Sequence, residues 1–364
     1  MNTNITVKYD ALPIYDIVLE QDFNSLYREL NKLDTRNKKV CIVTDTNLSK
    51  LYLNELIEIL KDYAKVVETF TFPAGEASKN LNTAYLLYEK LIQSHFDRKD
   101  ILIALGGGVV GDLTGYAAAT YLRGINFIQM PTSLLAMVDS SIGGKTGVDF
   151  QAYKNMIGAF HQPKSVYMNL KTLFSLNDAQ YYSGLGEIIK HGLIKDAGYY
   201  LWLKANCQSI KDRDMAVLKE MIYKSCLIKR DVVEKDPKEL GDRALLNYGH
   251  TIGHAVEKLM EFKLLHGECV AIGMVAASYL SHKRNHITPE QFTDIVSTIQ
   301  SFNLPVSVSG IRAEDVLKVT LLDKKMEAGR IKFILLAEPG TAYIDTTVTE
   351  EEMLEAVKYI IKTE

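Results

Sequence analysis

Several features are scarce in this sequence of 364 residues. It holds four cysteines, Cys41, Cys207, Cys226 and Cys269, widely scattered and with no C-x-x-C pair. That spacing excludes a disulfide framework and reads as reduced, mostly buried small hydrophobes. Charge of one sign is also missing: 42 Lys and Arg against 45 Asp and Glu leave a formal net charge of −3. Such a balance offers no footprint for nucleic acid or an anionic membrane. Apolar runs near 101–110 and 270–280 fall short of the roughly 20 residues of a spanning helix, and glycine or polar residues interrupt them. The opening MNTNITVKYD has neither the basic nor the apolar region of a signal peptide. No repeat or low-complexity tract occurs. The expectation is a cytoplasmic protein, of enzyme size, with neither nucleic acid nor membrane as partner.

What is present is a hydrophobic fraction of 47%, enough for a sizeable core. The first half alternates strand-like runs (40–45, 66–72, 101–105, 126–130) with helical patterns (51–61, 81–95 and about 112–121). This order implies a doubly wound, mostly parallel, Rossmann-like sheet. Helical periodicity then dominates 184–194, 199–207, 216–234, 249–260, 268–283, 289–301 and 350–362. A hairpin at 331–345 turns at Glu338-Pro339-Gly340. The expected division is an α/β half, 1–176, and a mainly α-helical half, 177–364. A site between the halves is the default expectation.

Four stretches carry chemistry. GGGVVGD (106–112) follows a strand and opens a helix. Consecutive glycines admit a phosphate to backbone N–H groups at a helix N-terminus; the run is not G-x-G-x-x-G and a tight turn is the alternative, but the strand-to-helix context favours binding of an anion or dinucleotide. Asp45, ending a strand, suits a ribose diol or a helix cap. MVDSSIGGKTGVD (137–149), with Lys154 and Asn155 beyond, reads as a polar, glycine-rich loop, and Lys145 and Lys154 suggest a second anion site. Glu187, His250, His254 and His266 form a candidate metal set, two histidines and one carboxylate leaving a coordination position open. Because H-x-x-x-H lacks the acid of H-E-x-x-H, ligands and satisfied core histidines both remain open. KRDVVEKDPKELGDRALLNYGH (229–250) is either a charge-mixed solvated face or part of a site.

Taken jointly, PAGEASK, GGGVVGD, QMPTSLLAMVDSSIGGKTGVD, KNMIGAFHQP, GLGEIIKHGLI, DPKELGDRALLNYGHTIGHAVE and HGECVAIGM resemble the 3-dehydroquinate synthase family. The blocks stand in family order between about residue 45 and residue 336. The resemblance implies a sugar-phosphate cyclase of the shikimate route to aromatic amino acids. Such an enzyme makes 3-dehydroquinate and phosphate from 3-deoxy-D-arabino-heptulosonate 7-phosphate. It proceeds by transient oxidation, phosphate β-elimination, re-reduction, ring opening and aldol closure, with catalytic NAD and one divalent metal, zinc or cobalt. The first half would then bind NAD and the second the metal and substrate.

Carried over residue by residue, the metal ligands fall on Glu187, His250 and His266, and His254 falls in the substrate pocket. Substrate positions match Asp139, Lys145, Lys154, Asn155, Lys190, Lys229, Glu239, Arg243, Asn247 and His254. Lys324 and Lys325 lie in a segment resembling one that closes over the substrate. Arg123 resembles the arginine that reaches the partner subunit's site in a homodimer. NAD positions match Asp45, Asn47, Glu76, Lys79, Gly107, Gly108, Val109, Asp112, Thr132 and Ser133, with Thr172 and Ser175 bordering the nicotinamide side; Lys145 and Lys154 are also counted among the cofactor contacts. LFSLNDAQ (173–180) departs from the Leu-Pro-x-Arg-Glu-like stretch usual there, and Ser133 replaces a usual Thr while keeping the hydroxyl. Three rivals are another sugar-phosphate cyclase, a metal-dependent polyol dehydrogenase of the glycerol-dehydrogenase type, and a catalytically dead NAD-binding regulator.

Overall fold

Unbroken apolar runs bounded by glycine or polar residues suit strands covered on both faces, because such strands need no polar side. In the computed structural model these runs do pair into a parallel sheet. The structure describes residues 4–151, 153–239, 241–261, 263–324 and 331–362. The chain divides into two units, Met1–Leu176 and Asn177–Glu364.

Unit 1 contains β1 (Asn4–Tyr9), β2 (Leu12–Glu20), α1 (Leu26–Lys32), β3 (Lys39–Asp45), α2 (Asn54–Lys61), β4 (Val66–Phe72) and α3 (Leu81–Gln93). It continues through β5 (Ile101–Gly106), α4 (Gly108–Thr120), β6 (Asn126–Pro131), β7 (Lys145–Phe150), β8 (Tyr153–Phe160), β9 (Ser165–Asn169) and α5 (Thr172–Ser175). A seven-stranded sheet runs in the order β1-β2-β9-β6-β5-β3-β4. Only the β1–β2 pair in it is antiparallel. Successive side chains leave opposite faces of a strand. Val40 and Ile42 therefore pack with Leu26, Leu30, Leu56 and Leu60, while Cys41 and Val43 pack with Leu87, Leu91, Leu113 and Ala117. The chain winds outward from β3 to β4, then returns to β5 on the other side of β3. That reversal opens a crevice at the carboxyl ends of β3 and β5, where Asp45 and Gly106-Gly107-Gly108 lie.

Three readings of this half need correction. Stretch 137–149 is not a surface loop. A π-type helical turn, Ala136–Ser140, leads into β7, which pairs with β8. Gly147 and Gly158 face each other in that ladder, and a Cβ on Gly158 would lie 2.3 Å from the Thr146 carbonyl oxygen. Gly147 and Gly158 serve close strand packing, which composition alone confuses with loop freedom, whereas Gly143 and Gly144, at φ 101° and 69°, form the buried turn that leads into β7. Secondly, α4 begins at Gly108 rather than near 112, so the glycine run contains its first turn. Thirdly, β1, β2 and β9 stand where no strand is expected. β1 is an edge strand and β2 lies between it and β9; both have mixed polarity, and β9 is only five residues long, so pattern does not mark the first two nor length the third.

Unit 2 comprises α6 (Asp178–Lys195), α7 (Ala197–Ala205), α8 (Cys207–Lys211), α9 (Met215–Lys235), α10 (His250–Leu259), α11 (His266–Lys283) and α12 (Pro289–Ser301). It ends with α13 (Ala313–Lys324), the hairpin β10 (Phe333–Glu338)–β11 (Thr341–Asp345), and α14 (Glu350–Ile360). Helices α6 and α11 are buried along most of their length. Glycine lets their backbones touch: a Cβ on Gly267 would fall 1.8 Å from the Ser183 carbonyl oxygen. Gly273 is pressed as closely, 1.8 Å from the carbonyl oxygen of Gly249, the residue before α10.

Candidate active site

Three side chains from three helices of unit 2 converge. Glu187 lies in the middle of α6, while His250 and His266 are the first residues of α10 and α11. Their donor atoms all lie within 4.8 Å of one another. The Glu187 Oε1 atom sits 3.6 Å from His250 Nε2 and 3.7 Å from His266 Nε2. Donors bound to one tetrahedral ion at about 2.1 Å lie about 3.4 Å apart, close to these spacings. Glu187 is fully buried; its Oε2 pairs with the buried Lys190 ammonium, whereas Oε1 is buried without a hydrogen-bond partner. A buried carboxylate oxygen facing two imidazoles and otherwise unsatisfied suits a cation.

The electrostatics agree. Burial opposes the Glu187 charge, but Lys190, then His266 and His250, hold its carboxyl well below the ordinary range. Burial, reinforced by Lys190, pushes His250 well below the usual imidazole value, so it is neutral and able to ligate. Its Nδ1 lies 3.2 Å from the Tyr248 carbonyl oxygen, which can only accept; Nδ1 therefore carries the proton and Nε2 the lone pair. Burial likewise opposes charge on His266, yet Glu187 and Glu257 raise it to about 9 when no cation is present.

Around this set, His254 is exposed, its ring 5.1 Å from that of His250. Lys229 and Arg243 are buried. Arg243 donates to the Pro237 carbonyl oxygen at 2.8 Å, and the Asp236 carboxylate accepts from the backbone N–H groups of Gly241 and Arg243. Asn247 reaches Glu239 at 3.3 Å, and Glu239 has a left-handed backbone, φ 58°. The described residues of 236–239 and 241–247 thus form a hydrogen-bonded, partly buried strap rather than a wholly solvated face. Lys324 ends α13, and Lys325 lies outside the described residues.

In unit 1 the structure assembles a second cluster at the crevice. Asp45 Oδ1 accepts from the backbone N–H groups of Asn47 and Leu48 at 2.8 and 2.9 Å, which closes the turn that follows β3. Among the described residues no side chain caps α4, which leaves its first turn open to an anion. Gly107 and Gly108 face the Ser133 and Ser140 hydroxyls, and the Thr132 N–H donates to the Gly106 carbonyl oxygen. Val109 is half-buried beside them. The buried Lys79 bridges Asp112, at 2.7 Å, and the Asn155 side chain; burial works against its charge, but Asp112 and then Glu76 hold it above its ordinary value. Asn155 has φ 55°, its N–H donating to Asp149, and Lys154 lies 4.0 Å from Glu76. Lys145 is exposed at the start of β7, and Asp139 is half-buried in the turn before it. Thr172 and Ser175 spend their hydroxyls locally, on the Asn169 carbonyl oxygen and on Tyr52. Arg123 is exposed in a turn where Leu122 and Arg123 have φ 49° and 66°.

Sequence reasoning misses supporting residues. Tyr15 receives the Gly143 N–H at 3.2 Å, Ser183 that of Gly267 at 3.0 Å, and Asp236 ties the strap. Only Glu257 left a signal, lying one heptad after His250 and so on the same face of α10.

Fold and site together define a class, and the comparisons name it. A solved 2-epi-5-epi-valiolone synthase from Streptomyces hygroscopicus, carrying NAD+ and Zn2+, superposes with a TM-score of 0.87 at 26% identity, covering 95% of this chain and 96% of that one. A 2-deoxy-scyllo-inosose synthase complexed with carbaglucose-6-phosphate, NAD+ and Co2+ gives 0.89 at 22% identity, covering 98% and 100%. The fold is that of the sugar-phosphate cyclases. Family models described as 3-dehydroquinate synthase N-terminal and C-terminal match residues 69–183 and 184–326. A 3-dehydroquinate synthase of Acetivibrio thermocellus is 42% identical over 354 residues, 97% of each chain. The chain belongs to the 3-dehydroquinate synthase family.

Proposed function

We propose that this enzyme converts 3-deoxy-D-arabino-heptulosonate 7-phosphate to 3-dehydroquinate and phosphate, as a phosphate-eliminating lyase of the cytoplasm. The observation that carries the reading is the buried Glu187 Oε1, facing two imidazole Nε2 atoms with no hydrogen-bond partner. Glu187, His250 and His266 would hold one divalent metal, zinc or cobalt. Unit 1 would hold NAD, its phosphates at the uncapped N-terminus of α4, with Asp45, Asn47, Glu76, Lys79, Asp112, Thr132 and Ser133 around it. When bound, the metal supplies Lewis acidity toward adjacent substrate hydroxyls, and NAD supplies a transient hydride acceptor.

The chain's own residues supply positioning and charge. Lys145, Lys154, Asn155 and Arg243 would take the phosphate and carboxylate, where charge-assisted hydrogen bonds are strongest. Arg243 is held for this by the Asp236 strap, so little of its freedom remains to be lost on binding. Lys190 keeps Glu187 ionised, and Lys229 and Asp139 would fix hydroxyls. His254, exposed beside His250, would pass protons between hydroxyl oxygens and solvent, and Asn247, tethered to Glu239, would orient a hydroxyl along that relay through its amide. The leaving phosphate can itself remove the adjacent proton, so the elimination needs no carboxylate base.

The assembly we propose is a homodimer, each copy lending Arg123 to its partner. Support comes from the exposed Phe150, Tyr153, Met156 and Phe160 on the β7–β8 hairpin, an apolar edge that a second copy would cover. A phosphate-release assay with the heptulosonate phosphate, with and without NAD+ and a chelator, tests the activity. Release that requires NAD+ and is abolished by the chelator, with no net NADH, is expected; release indifferent to both additions would overturn the reading. Stoichiometric NADH accumulation would instead favour a polyol dehydrogenase.

A further inference from the structure

Glu257 is a buried carboxylate on α10, its side chain 7% exposed, which neither the metal-ligand set nor the substrate set uses. Burying a carboxylate is costly unless it is paired. Its Oε2 lies 3.5 Å from His266 Nδ1, on the side of the ring opposite Nε2, which faces Glu187. Resting on the metal reading above, we propose that Glu257 is the positioning residue of the metal centre. It accepts the Nδ1 proton of His266, fixes that ring's tautomer and orientation, and makes its Nε2 a stronger donor.

Three features support this. His250 and Glu257 are seven residues apart and so share a face of α10, directed at the start of α11. The two histidines are held in parallel fashion, His250 Nδ1 toward the neutral Tyr248 carbonyl and His266 Nδ1 toward a carboxylate, so only His266 has charged support. Finally, His266 opens α11 on a backbone pinned by Ser183 and by the Glu268 side chain on the Leu265 N–H. With the Cα fixed, the ring's torsion is the remaining freedom, and Glu257 removes it. A carboxylate behind a metal-bound histidine typically supports affinity by about 10- to 100-fold.

His254, Glu257 and His266 also lie within 4.8 Å of one another, so the rival assignment makes Glu257 a ligand. The test is Zn2+ and Co2+ affinity of the metal-stripped full chain, measured by chelator competition, together with the Co2+ visible spectrum. The expected result is one metal per chain in the wild type, none in His250→Ala, and binding about 10- to 100-fold weaker in Glu257→Gln. Glu257→Gln should also shift the Co2+ spectrum, and Glu257→Asp should recover part of the affinity, with NAD binding and melting temperature retained. Unchanged affinity and spectrum in Glu257→Gln would overturn the proposal. Complete loss of metal in Glu257→Gln, with His250→Ala still binding one ion, would make Glu257 a ligand and overturn the parent reading as well. Should Glu257→Gln fail to fold, the affinity and spectrum of Glu257→Asp decide: an unshifted spectrum at wild-type affinity rejects the proposal.

Discussion

Arg243 shows why a single side chain acts here through its surroundings. Buried, with one guanidinium N–H on the Pro237 carbonyl and its backbone tied to Asp236, this proposed substrate contact is held in place by the protein itself. Arg243→Ala should therefore raise KM and lower kcat together, with kcat/KM falling about 10- to 100-fold, the worth of one hydrogen bond to a charged group. Steady-state kinetics decide this, and unchanged constants would remove Arg243 from the site. The cysteines give a second prediction. Burial pushes the Cys41 and Cys226 thiols up to about 12, and the Tyr167 phenol to about 12. The fold thus favours their neutral forms. This contribution is complete below the unfolded values, 9.0 for the thiols and 10.0 for the phenol, and is lost as pH climbs from there toward about 12. Melting temperature should fall steadily above pH 9. At neutral pH a thiol reagent should label the half-buried Cys207 and spare Cys41, Cys226 and Cys269, as peptide mass spectrometry would show.

Among the elements, the junction of α10 and α11 matters most, because each begins with a proposed metal ligand. Gly273 on α11 lies against the Gly249 carbonyl that precedes His250, with 1.8 Å available to a Cβ. Gly273→Ala must drive the helices apart, at a cost of about 1–3 kcal/mol or more. Chemical denaturation should register that loss, and dialysis should show weaker metal retention, since His250 moves with the turn. A variant with wild-type stability would mean the backbones part without strain. The same scale shows what the sequence pattern can and cannot carry. Helix α12 has the expected bounds, Pro289–Ser301, because a threonine cap, a proline in the first turn and a regular apolar spacing all agree. The β7–β8 hairpin is illegible because its glycines mean closeness, and closeness to what is a property of the partner strand.

For the whole molecule, light scattering should give twice the 40.9 kDa chain mass. If Arg123 serves the partner's site, mixed dimers of Arg123→Ala and His250→Ala should regain activity that neither variant has alone, since one of their sites is intact. No recovery on subunit exchange would return Arg123 to its own chain. The sequence alone determined the alternation of buried strands and helices, and with it the doubly wound sheet, because apolar periodicity is local. It determined the family as well, through motif blocks that need no coordinates. From residue spacing it left His250 and His254 equivalent, one turn apart on one face, and Glu257 unremarked. The tertiary structure alone brings Nε2 of His250 to 3.6 Å from a Glu187 oxygen and sets Glu257 behind His266. This site joins α6 to the α10–α11 pair, which lies far from it in the chain, and the distances between them are fixed by packing, which local sequence does not encode.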